Sequence, residues 1–396
     1  MATVRPGEKE ATVSDAHRGP TGVIDIPLRY LMGPGPGNAH PRVLAAQSMP
    51  LLGHMHPPFM AIMDEIRQGL QYLFQTKSPY TLCVSGTGHA GMEACIANLL
   101  EPGETILVGN KGIWGARVVD MAQRFGAKVV EIKAEAGHTF DPEALVAQIA
   151  ELRPAVVFLV QGDSSTGVHQ NLKGLGEACR GAGTLLLVDT VCSQGGVPFF
   201  FDEWGVDAVY TGSQKCLSAP PCGAPIALSE RAVHKLQNRK TPVQSYYFDL
   251  NLVGNYWGWF GARAYHHTGM VSNWYAMREA LAVVSEEGLR ETWDRHAAMH
   301  RLLWQGLERL GLRRFVPREE DRLVTVNTIA IPEGVDGLAL CKFAMDTYNL
   351  EIAGGLGPTA GKVWRVGLLG YNARPAMVEL VIKAFEQGLQ AQGFKA

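Results

Sequence analysis

Leu185-Leu186-Leu187-Val188-Asp189 is the stretch on which the fold turns. Four aliphatic residues in a row, without polar alternation, suit a strand of a parallel sheet that is covered on both faces. The acid closing the run falls at the carboxyl end, where open α/β sheets bind ligands. Downstream, Tyr210-Thr211-Gly212-Ser213-Gln214-Lys215 sets a lysine in a small polar turn. A pyridoxal cofactor needs both groups. The amine forms a Schiff base, and the acid keeps the ring nitrogen protonated so that the ring accepts electrons. Taken singly, each has an ordinary explanation, a solvated lysine and a helix-capping aspartate.

A third element lies upstream. The apolar run Tyr80-Thr81-Leu82-Cys83-Val84 leads into Ser85-Gly86-Thr87-Gly88-His89-Ala90-Gly91-Met92-Glu93. Met92, Cys95, Ile96 and Leu99 then recur at helical spacing. Strand, glycine-rich turn and helix in that order make an anion site. The first amides of the helix are free, its dipole points its positive end outward, and the Thr87 hydroxyl adds a donor. Phosphate is the natural guest. Gly86, Gly88 and Gly91 also satisfy the dinucleotide fingerprint. The next strand, Thr105-Ile106-Leu107-Val108-Gly109, nevertheless ends in Asn110-Lys111, where a nicotinamide site calls for an acid.

Strands and helices alternate to about Arg278, which predicts a doubly wound α/β domain. The expected division is an interface arm over residues 1–27, a large domain over 28–288, and a small α+β domain over 289–396. Long helices about Arg295 to Leu310 and Met377 to Gln392 flank strands at Val324 to Ile331 and Trp364 to Leu369 in the last of these. With 396 residues, 46% hydrophobic and 19% charged, the chain can bury a large core. A net charge of -2 without basic blocks excludes nucleic acid as an expected partner. No apolar run approaches the roughly twenty residues that cross a bilayer. The cysteines number seven and include no C-x-x-C, the pattern of reduced interior residues. His54-Met55-His56 and His266-His267 lack a Cys or carboxylate at ligand spacing, so no metal is expected.

Seven motifs in one order are similar to a known family. They are Leu31-Met32-Gly33-Pro34-Gly35-Pro36, Ser85-Gly86-Thr87-Gly88-His89, Gly112-Ile113-Trp114-Gly115, Asp163-Ser164-Ser165-Thr166-Gly167, Ser213-Gln214-Lys215, Tyr265-His266-His267-Thr268, and Gly354-Gly355-Leu356-Gly357 with Gly361-Lys362-Val363-Trp364-Arg365-Val366-Gly367. The chain resembles the fold-type I, class V pyridoxal-phosphate-dependent aminotransferases, and within them the alanine–glyoxylate and serine–pyruvate aminotransferase family. The resemblance implies that Lys215 anchors the cofactor and carries the substrate's α-proton, that Asp189 pairs with the ring nitrogen, that Trp114 stacks on the ring, and that Ser164 bonds near its ring oxygen. It implies a phosphate held by Gly88, His89 and Gln214 of one subunit and by Tyr265 and Thr268 of its neighbour, hence a homodimer with shared sites. Arg365 would take the α-carboxylate. It sits between Val363-Trp364 and Val366-Gly367-Leu368-Leu369, an apolar setting in which an unpaired cation is costly, and a guanidinium grips a carboxylate bidentately. Gly35, Ser164 and His54 would line the substrate side, with Ser272 and Asn273 as a further wall.

The expected reaction moves an amino group from alanine or serine to glyoxylate. Ureidoglycine or 3-hydroxykynurenine remain alternative donors, since the cofactor motifs are shared. A cysteine desulfurase needs a reactive Cys on a late, mobile loop, whereas Cys341 sits in the helical run Ala339-Leu340-Cys341-Lys342-Phe343. A non-catalytic descendant would not need Lys215, Asp189 and Arg365 together. The first stretch has no apolar signal core, and Gly393-Phe394-Lys395-Ala396 is not a peroxisomal address, so cytoplasm is the expected compartment.

Overall fold

A computed structural model of the chain describes Ala16 and residues 18–394. Most of the expected arm lies outside the described residues. Residues 18–27 are exposed and carry neither helix nor strand.

The larger sheet has seven strands, in the order Thr81–Val84, Ala224–Leu228, Ala208–Tyr210, Leu185–Asp189, Val156–Val160, Thr105–Asn110 and Lys128–Lys133. Only Ala224–Leu228 runs against the rest. Leu185–Asp189 and its neighbour Val156–Val160 are buried along their whole length, as an unbroken aliphatic run requires. Lys128–Lys133 closes one edge with lysines at both ends and Glu131 between, side chains that discourage a further strand from pairing. Helices cover both faces, as the doubly wound α/β expectation requires. The turns at residues 85–88, 111–113, 190–192 and 211–215 all follow the carboxyl ends of strands running the same way, so they gather at one rim of the sheet.

Helix Val271–Glu287 packs along Pro57–Phe74 and ends at Gly288, whose φ of +92° turns the chain into helix Leu289–Arg309. The C-terminal unit holds a four-stranded antiparallel sheet ordered Arg313–Arg314, Val326–Ala330, Val363–Gly367, Ala353–Gly354. Its core is separate and includes Leu303, Trp364, Val366, Val381 and Phe385. Met32 belongs to that second core, and Tyr30–Leu31 pairs in parallel with Leu350–Glu351, so the chain visits the small unit before building the large one.

Four histidines bear on stability. His296 is buried between the Thr292 carbonyl and the Gly370 amide, which donates to its Nε2. His300 bonds Asn327, which also accepts from Trp304 Nε1. Burial holds both of these imidazoles, and those of His169 and His267, down to about 4. The unfolded chain therefore protonates first as pH falls. The contribution is whole above about pH 6.5 and is lost between there and about 4. Asp189, pushed up to about 6 by burial, and Asp207, also raised by burial, work in the opposite sense, two groups against the four histidines. The melting temperature of the cofactor-free protein should fall steadily from pH 7 to pH 4.5; a flat profile would contradict this.

Candidate active site

A cavity of about 210 Å³ opens at the rim where these turns converge. Lys215, Asp189, Trp114, Gly88, His89, Gln214 and Gly35 all line it, drawn from five separate segments of the chain. Lys215 Nζ donates to the Pro34 carbonyl at 2.5 Å. Gly35, with φ +113°, lies so close that a Cβ there would strike the lysine amine, so only glycine leaves that end free to move.

Asp189 is 3% exposed, and both of its oxygens meet neutral donors. The Val191 amide reaches Oδ1 at 2.8 Å and the Tyr210 hydroxyl reaches Oδ2 at 2.7 Å. Burial raises its pKa to about 6, against the pull of Tyr210, Val191 and Lys215. A buried carboxylate held by neutral donors fits a cationic ring nitrogen as its partner.

The helix starting at Gly88 presents its first amides to the cavity, where no helical carbonyl can accept them. A Cβ on Gly88 would lie 3.0 Å from Val191 Cγ2, so glycine is what lets the turn approach this strand end. Gln214 Oε1 is buried without a hydrogen-bond partner. His89 Nε2 accepts from Arg117 Nη1 at 2.9 Å, which leaves the proton on Nδ1. Burial, with Arg117 beside it, lowers its pKa. The His89 ring meets Trp114 edge-on at 5.6 Å, and Trp114 Nε1 donates to Ser164 Oγ at 3.0 Å. Behind them Asp163 Oδ1 holds Ser165, whose hydroxyl accepts the Ile113 amide and so pins the start of the Trp114 helix.

Arg365 comes from the other unit. Period-two alternation sends Trp364 and Val366 into the small core and the residue between them to the opposite face. Its Nη1 donates to the Ser164 carbonyl at 3.0 Å and its Nε to the Gly354 carbonyl at 2.8 Å. Both acceptors are neutral, and the residue is 7% exposed. A cation so held suits an anionic ligand beside Ser164 and Trp114.

Arg365 and Ser164 stand outside the lining of this cavity, Ser164 joined to it through Trp114, and the other expected positions are outside it as well. Thr87 is exposed at its helix cap and makes no capping bond with its side chain. Tyr265 is 64% exposed, and Thr268 is exposed too. His54 faces Tyr256 and Tyr265 instead, with its Nδ1 3.1 Å from the Tyr256 hydroxyl. Asn273 accepts from Gln47 and, like Ser272, opens helix Val271–Glu287. Tyr210, Arg117 and the Pro34 carbonyl were not anticipated. Arg117 had a legible signal, three residues from Trp114 on one helical face. Tyr210 had none, because its place beside Asp189 depends on strand register.

A lysine and a buried acid facing across an α/β rim, with a helix-start anion cradle and an arginine brought from a second unit, define a pyridoxal-phosphate enzyme acting on carboxylate substrates. The chain belongs to the class-V aminotransferases, whose family model, described as aminotransferase class-V, matches residues 42–374. It is a pyridoxal-phosphate-dependent aminotransferase, taking an amino acid and an oxo acid. The alanine–glyoxylate aminotransferase of Drosophila melanogaster is 48% identical over 368 residues, covering 92% of this chain and 93% of its own. The (S)-ureidoglycine–glyoxylate transaminase of Bacillus subtilis is 37% identical over 378 residues, covering 91% and 90%. Among solved structures, the alanine–glyoxylate aminotransferase of Nostoc sp. superposes with a TM-score of 0.93 at 48% identity, covering 96% of this chain and all of that one. Among the described residues no helix is long and apolar enough to cross a membrane.

Proposed function

We propose that the protein moves the amino group of a small L-amino acid, alanine or serine, to glyoxylate, giving glycine and pyruvate or hydroxypyruvate. The observation that carries this is the Arg365 guanidinium, buried, held only by carbonyls, and tied to the Ser164 segment that also carries the Trp114 contact. Alanine, serine and glyoxylate share a carboxylate and little else, and relatives 44–48% identical over nine-tenths of the chain bear the alanine–glyoxylate name. Bound pyridoxal phosphate supplies the electron sink. Asp189 would keep the ring nitrogen protonated, Trp114 and Val191 would confine the ring, and the amides of Gly88 and His89 with Gln214 would hold the phosphate. Lys215 would carry the proton between the substrate's α-carbon and the cofactor carbon, in the room that the missing side chain of Gly35 leaves for its amine.

The test is visible absorption of the purified protein with L-alanine and then glyoxylate. Bleaching by alanine and recovery with glyoxylate supports the reading. Faster rates with ureidoglycine or 3-hydroxykynurenine than with alanine and serine would overturn the donor assignment. Arg365→Lys keeps the charge but loses the planar fork, at a cost of about 2 kcal/mol, or about thirtyfold in KM for amino and oxo acid alike. An unchanged KM would remove Arg365 from carboxylate binding.

A homodimer belongs to this reading, with Tyr265 and Thr268 serving the neighbouring site. Tyr265 stands out from the surface, and Val23, Ile24, Ile26 and Leu28 are between 67% and 98% exposed, an apolar run that an interface would cover. A monomer in sedimentation would refute it. The division into large and small domains near Gly288 and a cytoplasmic location complete the proposal, to be checked by limited proteolysis and cell fractionation.

A further inference from the structure

His266 and His267 form a hydrogen-bonded pair that the roles above do not use. His266 Nε2 lies 3.1 Å from the Tyr246 carbonyl, the two Nδ1 atoms lie 2.8 Å apart, and His267 Nε2 lies 2.8 Å from Ser85 Oγ. The direction of each bond follows from the first. A carbonyl only accepts, so His266 carries its proton on Nε2 and, being neutral, accepts at Nδ1. His267 must then donate from Nδ1, which leaves its Nε2 as an acceptor, and the Ser85 hydroxyl donates to it. Ser85 follows strand Thr81–Val84 and begins the turn whose Gly86, with φ +146°, leads to the helix amides at Gly88 and His89.

We infer that His266 and His267 are positioning residues of the phosphate-binding turn: a one-way chain of hydrogen bonds runs from Ser85 to the Tyr246 carbonyl and ties the turn to the 265–268 segment. One proton added to either imidazole reverses the chain at Ser85. His267 Nε2 would then donate to Ser85 Oγ, and the serine's own proton would lose its acceptor. The surroundings oppose that charge. Tyr246 stacks on His266 at 5.0 Å, Tyr247 and Tyr256 pack on His267 at 5.1 and 5.5 Å, and His54, on the 51–56 loop beside Tyr256, adds its electrostatic influence on His267. Burial, then His266 and His54, hold His267 down to about 4, so the neutral, one-way form prevails at neutral pH. The inference rests on the family's cofactor and not on the choice of alanine and glyoxylate, so either can fail alone.

The test reads the chain directly. Long-range 1H–15N imidazole NMR of the holoenzyme near pH 8 should show His267 protonated at Nδ1 and His266 at Nε2. His267→Gln can accept from Ser85 with its amide oxygen and donate to His266 with its nitrogen, whereas His267→Ala can do neither. Pyridoxal phosphate affinity, titrated by absorbance on the apoprotein, should fall about tenfold in His267→Ala and stay within about threefold of the parent in His267→Gln. A proton found on His267 Nε2 would overturn the inference. So would parental affinity in the alanine variant, or a glutamine variant as impaired as the alanine one, which would reduce His267 to a space-filler. If His267→Ala does not fold, the tautomer and the glutamine variant decide alone.

Discussion

Lys215→Ala should lower kcat for transamination by about 10⁴-fold or more, with KM for alanine changed far less. The size follows from what a positioned general base contributes, up to about 10⁴ alone, with the loss of the covalent anchor added to it. Among the described residues the Nζ atom is the only amine lining the cavity, and it reaches Pro34 across a gap that Gly35 keeps open, so no neighbouring amine can substitute. Single-turnover mixing with L-alanine measures the proton-transfer step, and dialysis measures the anchor, since the variant should lose its cofactor where the parent keeps it. A variant turning over at the parental rate would end the assignment of Lys215, and with it the chemistry proposed for the site.

Asp189→Asn is expected to act in two directions at once. The amide has the shape of the acid. Its oxygen still accepts from the Val191 amide, and Tyr210 can turn its hydroxyl to accept from the new NH2 group. Only the charge is lost. A ring nitrogen without that buried partner gives up about 3–5 kcal/mol of support for its protonated form, so kcat should fall by about two to four orders of magnitude. The cofactor-free variant should be at least as stable as the parent at pH 8. Burial raises the Asp189 pKa to about 6, above its ordinary value, so the ionised acid disfavours the fold at every pH above 6, and the asparagine removes that cost. Melting temperatures of the two apoproteins together with their rates settle the matter. Near-parental activity would show that Asp189 does not support the ring, and a marked drop in apoprotein stability would show its charge is not the burdened group.

Much of this site was legible along the chain because its parts are local. An unbroken aliphatic run can only be a covered strand, which located Asp189 at a sheet rim before any contact was known. The turn at 85–88 announced its anion site through glycines placed between strand and helix, and helical spacing marked Met92, Cys95, Ile96 and Leu99, all buried in the structure. Helix boundaries were less secure. The run expected from about Arg295 begins at Leu289, because Gly288 breaks the chain with positive φ and the helix restarts at once. The strand expected at Trp364 to Leu369 spans Val363–Gly367, shifted by its pairing with Val326–Ala330.

By itself, then, the sequence determined most of the elements and the cofactor class and singled out Lys215, Asp189 and Arg365 as candidates, since periodicity, turn chemistry and an out-of-place charge are properties of neighbours in the chain. Tertiary structure decided who meets whom. Tyr210 reaches Asp189 because two parallel strands pair in one register, Arg365 reaches Ser164 across 201 positions, Ser85 finds His267 across 182, and Tyr30–Leu31 joins a strand more than three hundred residues on. Such meetings follow from strand order and from which face of an element is buried, and the free energy that selects them belongs to the whole packed core, with no local pattern to announce it.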